Sequence, residues 1–317
     1  KGIEHIMEII PTEFALHDKL RRVKLEIDNT GKTYDEIAAK VSEHDKVLCI
    51  VNTRKDAKEL YNRLPDEGVK IHLSRMMCPA HISETICKIK ALLKDEAHPI
   101  VRVIATQLVE AGVDIDFPVV FRQEAGLDSV LQAAGRCNRE GKNRIGHTFV
   151  FSLSAEKRIL FGSMAAANNA RLNLPTDSDW FAPSTMEKYF QQLYFRKDTF
   201  DKKDMKHYLY KLDELCFETA SKEFRLIDDD GMNVIVNWEN SMGLVENLKK
   251  SGCTYSLMKQ LAKFTVGVHR SNFSQLIKYA AVEEILEGIY VLADRAQYDN
   301  AIGLKLENHW MEEILMI

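Results

Sequence analysis

Short apolar stretches alternate with helical patterns between residues 46 and 153, and this alternation constrains the fold more than any other feature. The run 47–53 is continuously apolar, as in a parallel strand buried on both faces, and 54–64 follows with helical periodicity. Further strands are predicted at 69–74, 100–106, 118–123 and 147–153, with helices at 80–94 and 127–139. Strands that alternate with helices form parallel sheets. The sequence therefore predicts an α/β lobe over 41–155, in which helices flank a parallel sheet.

The pattern changes after Ser154. Residues 155–225 are helix-rich and charged, which predicts a helical linker over 156–220. Further on, Asp228 to Gly231 forms a turn signal between two apolar stretches, as in a β-hairpin. We expect a small α+β accessory domain over 221–317. Ahead of the lobe, Thr33 and Glu36 have the spacing of a capping box, which predicts a helix over 33–41.

Charge and cysteine content exclude several protein classes. The chain carries 43 Lys and Arg against 47 Asp and Glu, so any contact with nucleic acid must come from local basic patches. The six cysteines form no CxxC pair, so the sequence predicts neither a zinc site nor a disulfide framework, and no other metal ligands stand out. No apolar run reaches membrane-spanning length. We expect a protein of the reducing cytoplasm without a membrane partner.

The most informative motif is QAAGRCNR, from Gln132 to Arg139. If it lies on one helix, Arg136 and Arg139 are one turn apart and can both reach a polyphosphate. Arginines of this kind stabilise charge on a transferring γ-phosphate and are typically worth about 10³ to 10⁵ in rate. We predict Arg136 and Arg139 as catalytic residues and place Gln132 and Gly135 at the nucleotide. The alternative is an exposed basic helix end.

A second motif, ATQLVEAGVDID, spans 105–116. Thr106 and Gln107 end a buried strand, where a hydroxyl and free backbone N–H groups suit a phosphate of nucleic acid or of ATP. Asp114 is predicted to accept a hydrogen bond from a ribose hydroxyl. By itself this motif is weak, because Gly112 can also be a helix C-cap and Asp114 a turn residue.

Two further strand ends carry small polar and basic side chains. They are predicted to lie at the carboxyl edge of the sheet, where ligands bind in open α/β folds. Each is either a phosphate contact or a helix cap. These candidates for nucleic-acid contact are Thr53, Arg54, His72, Ser74 and Arg75.

Taken in chain order, the strand ends at 53–75, the segment 105–116 and the segment 132–139 resemble motifs IV, V and VI. These motifs belong to the second RecA-like lobe of superfamily 2 helicases, and the resemblance covers roughly residues 46–153. The strings VLCIVNTRKDA, QLVEAGVDIDFPVVFRQEAGLDSVLQAAGRCNREG and FRLIDDDGMNVIV more narrowly resemble the CRISPR-associated helicase-nuclease of type I systems. That resemblance is looser beyond residue 155. It implies that residues 1–40 are the tail of a first helicase lobe or an inter-lobe linker.

The resemblance also implies a function. It implies an ATP-dependent translocase that moves 3′ to 5′ on single-stranded DNA opened by a guide-RNA surveillance complex. ATP and Mg²⁺ would be bound mainly by a first lobe, which, like an HD nuclease domain, is expected N-terminal to Lys1. We therefore expect the present chain alone to be inactive as an ATPase.

Three short strings imitate motifs of those other domains. Gly31-Lys32-Thr33 lacks the upstream glycine of a P-loop, since Glu26 stands in its place, and we predict a turn into the Thr33-capped helix. Asp95 to His98 spells DEAH, but it follows a helix and so predicts a loop. The HD dipeptides at His17 and His44 lack the further ligands of a metal nuclease.

Two other functions remain open from the residues. One is an RNA helicase of the DEAD or DEAH-box kind, which binding of the 2′-hydroxyl would distinguish. The other is a non-catalytic interaction module with a helicase-like lobe. The presence of both Arg136 and Arg139 argues against such a module, because docking does not require arginines for a γ-phosphate.

Overall fold

The protein is described by a computed structural model that covers most of the chain. The described residues are 9, 11, 14, 16–154, 162–175, 177–195, 199–201, 203–210, 216–224 and 231–306. Across these ranges, the helices are too short or too polar to cross a membrane.

Residues 16–154 form a lobe around a six-stranded parallel sheet, in the order β1-β6-β5-β2-β4-β3. This confirms the predicted α/β class and its parallel sheet. The elements are α1 (Leu16–Lys19), β1 (Val23–Lys32), α2 (Tyr34–Ser42), β2 (Lys46–Val51), α3 (Arg54–Arg63), β3 (Val69–Leu73), α4 (Pro79–Lys94), β4 (Val101–Thr106), β5 (Val119–Gln123), α5 (Leu127–Ala134) and β6 (Gly146–Leu153).

The lobe begins earlier in the chain than the predicted boundary at residue 41. β1 pairs with β6 along its length and forms one edge of the sheet. Next, Thr33 caps α2 in a complete capping box with Glu36. Gly31 and Lys32 belong to β1, so the predicted turn at this point is wrong. The buried side chains of α2 pack into the lobe, so residues 23–42 are part of it.

The two faces of the sheet carry separate apolar cores. In β2, Leu48 and Ile50 pack into the core on one face, while Val47, Cys49 and Val51 pack into the core on the other. Alternation of this kind follows from the two-residue period of a strand. Because both faces are covered, the strand reads as a continuous apolar run, as its sequence indicates.

A helical segment follows the lobe, and its first two described helices pack onto the lobe. Its described helices are α6 (Gly162–Leu172), α7 (Pro183–Phe195), α8 (Met205–Leu209) and α9 (Phe217–Glu223). Ala170, Trp180 and Tyr189 form an apolar cluster with Leu127 of α5 and Val150 of β6. The residues of α6 and α7 are therefore part of the lobe's packing, although the sequence predicts a linker here.

The C-terminal unit contains a four-stranded sheet in the order β8-β7-β10-β9. Its elements are β7 (Gly231–Ile235), α10 (Ser241–Ser251), α11 (Tyr255–Leu261), β8 (Thr265–His269), α12 (Arg270–Lys278), β9 (Val282–Leu286), β10 (Ile289–Leu292), β11 (Tyr298–Asp299) and β12 (Gly303–Leu304). This matches the expected small α+β domain. The predicted hairpin turn from Asp228 lies outside the described residues, and β7 pairs with β8 and β10.

The C-terminal unit docks on the loop between β3 and α4. The backbone N–H of Leu304 donates to the carbonyl of Met76 at 2.8 Å. Tyr298 accepts a hydrogen bond from the Cys78 N–H at 2.9 Å, and its hydroxyl lies 3.0 Å from Nδ1 of His81. The His81 ring also stacks on Trp238 with 3.7 Å between ring centroids. This contact fixes the loop that carries Arg75.

Two buried histidines near this contact should make stability depend on pH. Burial lowers the pKa of both His72 and His81 from 6.5 to about 4. The unfolded chain therefore binds more protons, and the stabilisation is complete above pH 6.5 and lost as the pH falls towards 4. We expect the Tm to fall by about 5 °C or more between pH 7 and pH 4.5, measured by differential scanning calorimetry.

A histidine variant isolates this effect from the titration of carboxylates. His72→Leu removes a titrating group whose ring nitrogens have no hydrogen-bond partner, so its Tm should fall less steeply with acidification. His207→Gln, at an exposed position in α8, is the matched control and should keep the slope of the unmodified chain. Equal slopes for all three proteins would contradict the assignment to His72.

Candidate nucleotide and nucleic-acid interface

The carboxyl ends of the strands bring several predicted residues together around Asn52. Its backbone N–H donates to Oε1 of Gln123 at 2.8 Å, and its side-chain amide donates to the carbonyl of Glu124 at 2.8 Å. Gln107, at the end of β4, lies 3.4 Å from the Asn52 Oδ1. Parallel strands place their carboxyl ends at one edge, and the ends of β2, β4 and β5 meet here.

Thr53 and the adjacent arginines have distinct roles at this edge. Thr53 is the N-cap of α3: its hydroxyl accepts from the Asp56 N–H and donates to the Asp56 carboxylate at 2.7 Å. Arg54 and Arg75 both reach solvent, but part of the Arg54 side chain is covered, where its guanidinium contacts the Met76 sulfur at 2.9 Å. Burial, followed by the charge of Arg75, lowers the pKa of Arg54, so the two guanidiniums form one basic patch.

His72 and Ser74 are buried, which corrects their prediction as contacts for nucleic acid. Their side chains are 3% and 0% exposed, respectively. His72 lies against the ring of Tyr61, and the Ser74 hydroxyl accepts from the backbone N–H of Met76. His72 belongs to β3 and packs against α3, and Ser74 is enclosed by the turn at Met76. Of these two residues and Arg75, only Arg75 is exposed.

Thr106 ends β4 and lies just below the surface. Its side chain is 8% exposed, and it makes no capping hydrogen bond to the 3-10 helix Gln107–Val109. Gly112 has a φ of 74° in the turn that follows, with open space where a Cβ would stand. This turn directs Asp114 outwards, where its carboxylate lies 3.3 Å from Nε of Arg139.

Helix α5 ends before the two arginines, which corrects the prediction that both lie on one helical face. The last residue of the helix is Ala134 and its C-cap is Gly135. Cys137 then bridges to Phe117, next to β5, and Asn138 takes a φ of 47°. This bridge to a residue distant in sequence is incompatible with continued helix. The arginines therefore lie in the turns that follow.

The two arginines still converge on the loop that contains Asp114. Arg136 donates to the carbonyls of Glu110, at 2.7 Å, and Val113, while its Nε is buried without a hydrogen-bond partner. Arg139 is exposed beside Asp114, and its backbone N–H donates to Asp116 at 2.7 Å. Arg136 thus holds the loop, and Arg139 offers a solvent-facing guanidinium. Gln132 and Gly135 are exposed on the same segment.

Sequence reasoning missed a buried ionic cluster behind this edge. Arg122 of β5 is 0% exposed and lies 2.9 Å from the Glu110 carboxylate. Ser129 bridges both, since its hydroxyl accepts from Arg122 at 2.9 Å and donates to Glu110 at 2.7 Å. Burial raises the pKa of Glu110, and the charge of Arg122 opposes that rise. An arginine within a predicted strand of a parallel sheet was the available signal.

The motif-like strings lie elsewhere. Asp95 to His98 forms a loop between α4 and β4, at the amino end of the strands and away from the candidate interface. His98 contacts Asp95 there at 2.8 Å. Within the described ranges, no group of three or more His, Cys, Asp or Glu side chains has the geometry to hold a metal ion.

Comparison with known families finds a similarity in the central stretch of the lobe. Residues 43–142 match the family model described as "CRISPR-associated nuclease/helicase Cas3, C-terminal". This stretch is similar to the C-terminal portion of Cas3. The curated protein "CRISPR-associated nuclease/helicase Cas3" of Methanothermobacter thermautotrophicus is 33% identical over 125 residues, and that of Haloferax volcanii is 52% identical over 54 residues. These matches cover 39% and 16% of this chain, but only 14% and 6% of the relatives.

Solved Cas3 structures share the fold over a longer range. The "Crystal structure of T. fusca Cas3-ADP" matches with a TM-score of 0.58 at 15% identity, covering 90% of this chain and 42% of that one. The "CRISPR RNA-guided surveillance complex, pre-nicking" contains a chain that matches with a TM-score of 0.53 at 15% identity, over 90% and 44%. The Cas3-like architecture therefore extends from the lobe into the C-terminal unit.

Proposed function

We propose that this chain is the second motor lobe and C-terminal unit of an ATP-dependent translocase on single-stranded DNA in CRISPR interference. One observation carries the proposal: Arg139 and Asp114 face solvent side by side, while the carboxyl edge of the sheet carries a separate basic and polar surface. This arrangement offers one surface to a nucleotide and another to a nucleic-acid backbone. The names of the Cas3 relatives support CRISPR interference as the setting.

The residues present suit a nucleotide polyphosphate at Arg136 and Arg139. The Arg136 Nε is a buried donor without a partner, and the Arg139 guanidinium needs only to exchange its contact with Asp114. In our proposal, Arg139 stabilises charge on the transferring phosphate, while Arg136 keeps the loop of residues 110–114 in place. Asp114 would then accept from a ribose hydroxyl. Bound ATP supplies the phosphoryl group, and we assign Mg²⁺ to carboxylates of a partner lobe.

At the other surface, Arg54, Arg75, Thr106 and Gln107 would hold backbone phosphates of one strand. Guanidinium, hydroxyl and amide groups at strand ends contact phosphates without reading bases. Thr53 contributes through the backbone at the start of α3, since its hydroxyl caps that helix. We also propose that this lobe works with a surveillance complex, a first lobe and a nuclease domain, in the cytoplasm.

The test is nucleic-acid-stimulated ATP hydrolysis by the full-length protein. We expect single-stranded DNA to stimulate hydrolysis and RNA of the same sequence to stimulate it less. Thr106→Ala should weaken strand binding and its stimulation while leaving nucleotide binding in place. Stronger stimulation by RNA would instead support the RNA helicase alternative. An absence of both nucleotide binding and strand binding would support a non-catalytic module.

Arg75→Ala should flatten the salt dependence of strand binding. One lost phosphate contact lowers the slope of log affinity against log salt by about 0.7 on a single strand. The measurement is fluorescence anisotropy of labelled oligo(dT) with the full-length protein at several salt concentrations. Arg144→Ala makes the same charge change at an exposed position just before β6, and it serves as the control. Arg144 lies at the amino ends of the strands, away from the proposed phosphate contacts. Equal slopes in both variants would remove Arg75 from the interface.

A further inference from the structure

The contact between Arg122 and Glu110 is costly for a protein interior. Both side chains are at least nine-tenths buried, and each loses its hydration. An apolar pair of similar volume is often as stable or more stable than a buried ion pair. Stability alone therefore gives little reason for this pair, and its position between the two candidate surfaces becomes the informative property.

At one end, the pair reaches the proposed strand edge. Arg122 donates to the Asn52 Oδ1 at 2.7 Å, the same oxygen that Gln107 approaches at 3.4 Å. Any shift of Asn52 or Gln107 on strand binding must therefore change the contacts that this shared oxygen makes with Arg122. Because the Arg122 side chain is fully buried, solvent cannot reach its guanidinium to replace the Asn52 oxygen as acceptor.

At the other end, the pair reaches the nucleotide side. The carboxylate of Glu110 contacts Arg122 and Ser129, while its backbone carbonyl accepts from Arg136 at 2.7 Å. Arg136 in turn holds Val113, next to Asp114. A movement of Arg122 therefore reaches the arginine-bearing turn through a continuous chain of hydrogen bonds.

We propose that Arg122 and Glu110 are positioning residues that couple strand occupancy at Asn52 and Gln107 to the placement of Arg136 and Asp114. The inference rests on the proposed function, because it requires both a strand and a nucleotide. It assigns the coupling to a buried pair that touches neither ligand. Ser129 keeps the two side chains in register by bonding to both.

The experiment measures the factor by which oligo(dT) stimulates ATP hydrolysis by the full-length protein, in Glu110→Gln and Arg122→Lys variants. Couplings between sites are typically worth about 5- to 150-fold, and we expect the stimulation factor to fall about tenfold. The rate without DNA should stay within about threefold of the unmodified protein, because the pair transmits a signal that is absent in that state. Arg171→Lys, at another buried arginine with an acidic neighbour, is the matched control.

The outcomes separate coupling from simple loss of folding. A structural defect reduces basal and stimulated rates together, as we expect for Arg171→Lys, and leaves their ratio unchanged. An unchanged ratio in both pair variants overturns the inference while the proposed function stands. If the unmodified protein shows no stimulation by DNA, the proposed function fails and the inference fails with it. If the Glu110→Gln and Arg122→Lys proteins do not fold, Ser129→Ala is the deciding variant. Its stimulation factor should fall about two- to fivefold.

Discussion

Arg139→Ala in the full-length protein should lower ATP turnover by about a thousandfold or more, with much smaller loss of nucleotide affinity. A guanidinium that meets charge mainly in the transition state changes turnover more than ground-state binding. Arg139 suits this role because it faces solvent beside Asp114 and its backbone is held by Asp116. Steady-state turnover and equilibrium binding of a non-hydrolysable nucleotide measure the two effects separately.

Two further variants sharpen this comparison. Arg139→Lys keeps the charge but loses the planar fork, so it should recover only part of the activity. Lys142→Ala removes a neighbouring exposed charge that pairs with Glu140 and should leave turnover near that of the unmodified protein. Equal losses of turnover and binding in Arg139→Ala would make Arg139 a ground-state contact or a structural residue instead.

Gly303→Ala should destabilise the chain by about 2 to 5 kcal/mol, measured as the free energy of unfolding in urea. Its φ of 80° is a left-handed conformation that costs about 1 to 2 kcal/mol with a side chain. A Cβ there would also overlap the Met76 carbonyl, at the contact between the C-terminal unit and the lobe. Overpacking of this kind adds typically about 1 to 3 kcal/mol.

Gly288→Ala is the control for the backbone term. Its φ is 74°, and a Cβ would meet nothing within 4 Å, so only the conformational cost of about 1 to 2 kcal/mol should appear. The fluorescence of Trp238, which stacks on His81, reports whether docking is lost. Equal destabilisation by the two alanines, with unchanged fluorescence, would show that the Met76 contact contributes nothing to docking.

Periodicity predicted the central sheet well because five of its strands, β2 to β6, have mostly buried side chains. Their apolar runs are distinct from the helical patterns between them. The strand β1 gave no such signal: it lies at the edge, has no buried residue and carries charges along its length. Its place in the sheet comes from pairing with β6, which no local window contains.

The candidate site was predictable in its parts and less so in its geometry. The order of motifs brought out Asp114, Arg136 and Arg139, and the structure gathers them at one loop. The end of α5 was missed because the pairing of Cys137 with Phe117 competes with continued helix and depends on the sheet. The Arg122 and Glu110 pair was missed for a similar reason. Their contact requires the parallel order β5-β2-β4, which brings together segments that are separate in sequence.

The position of β1 has a consequence for synthesis on the ribosome. Among the described residues its sheet neighbour is β6, which emerges more than a hundred residues later. At about 5 to 20 residues per second, this means a wait of roughly 6 to 23 seconds. During that time β1 has open hydrogen-bonding groups that other nascent chains can pair with. Lys24, Glu26, Asp28 and Lys32 place charges along it, and charged strands resist such association. The same charges that hid β1 from periodicity protect it until its partner arrives.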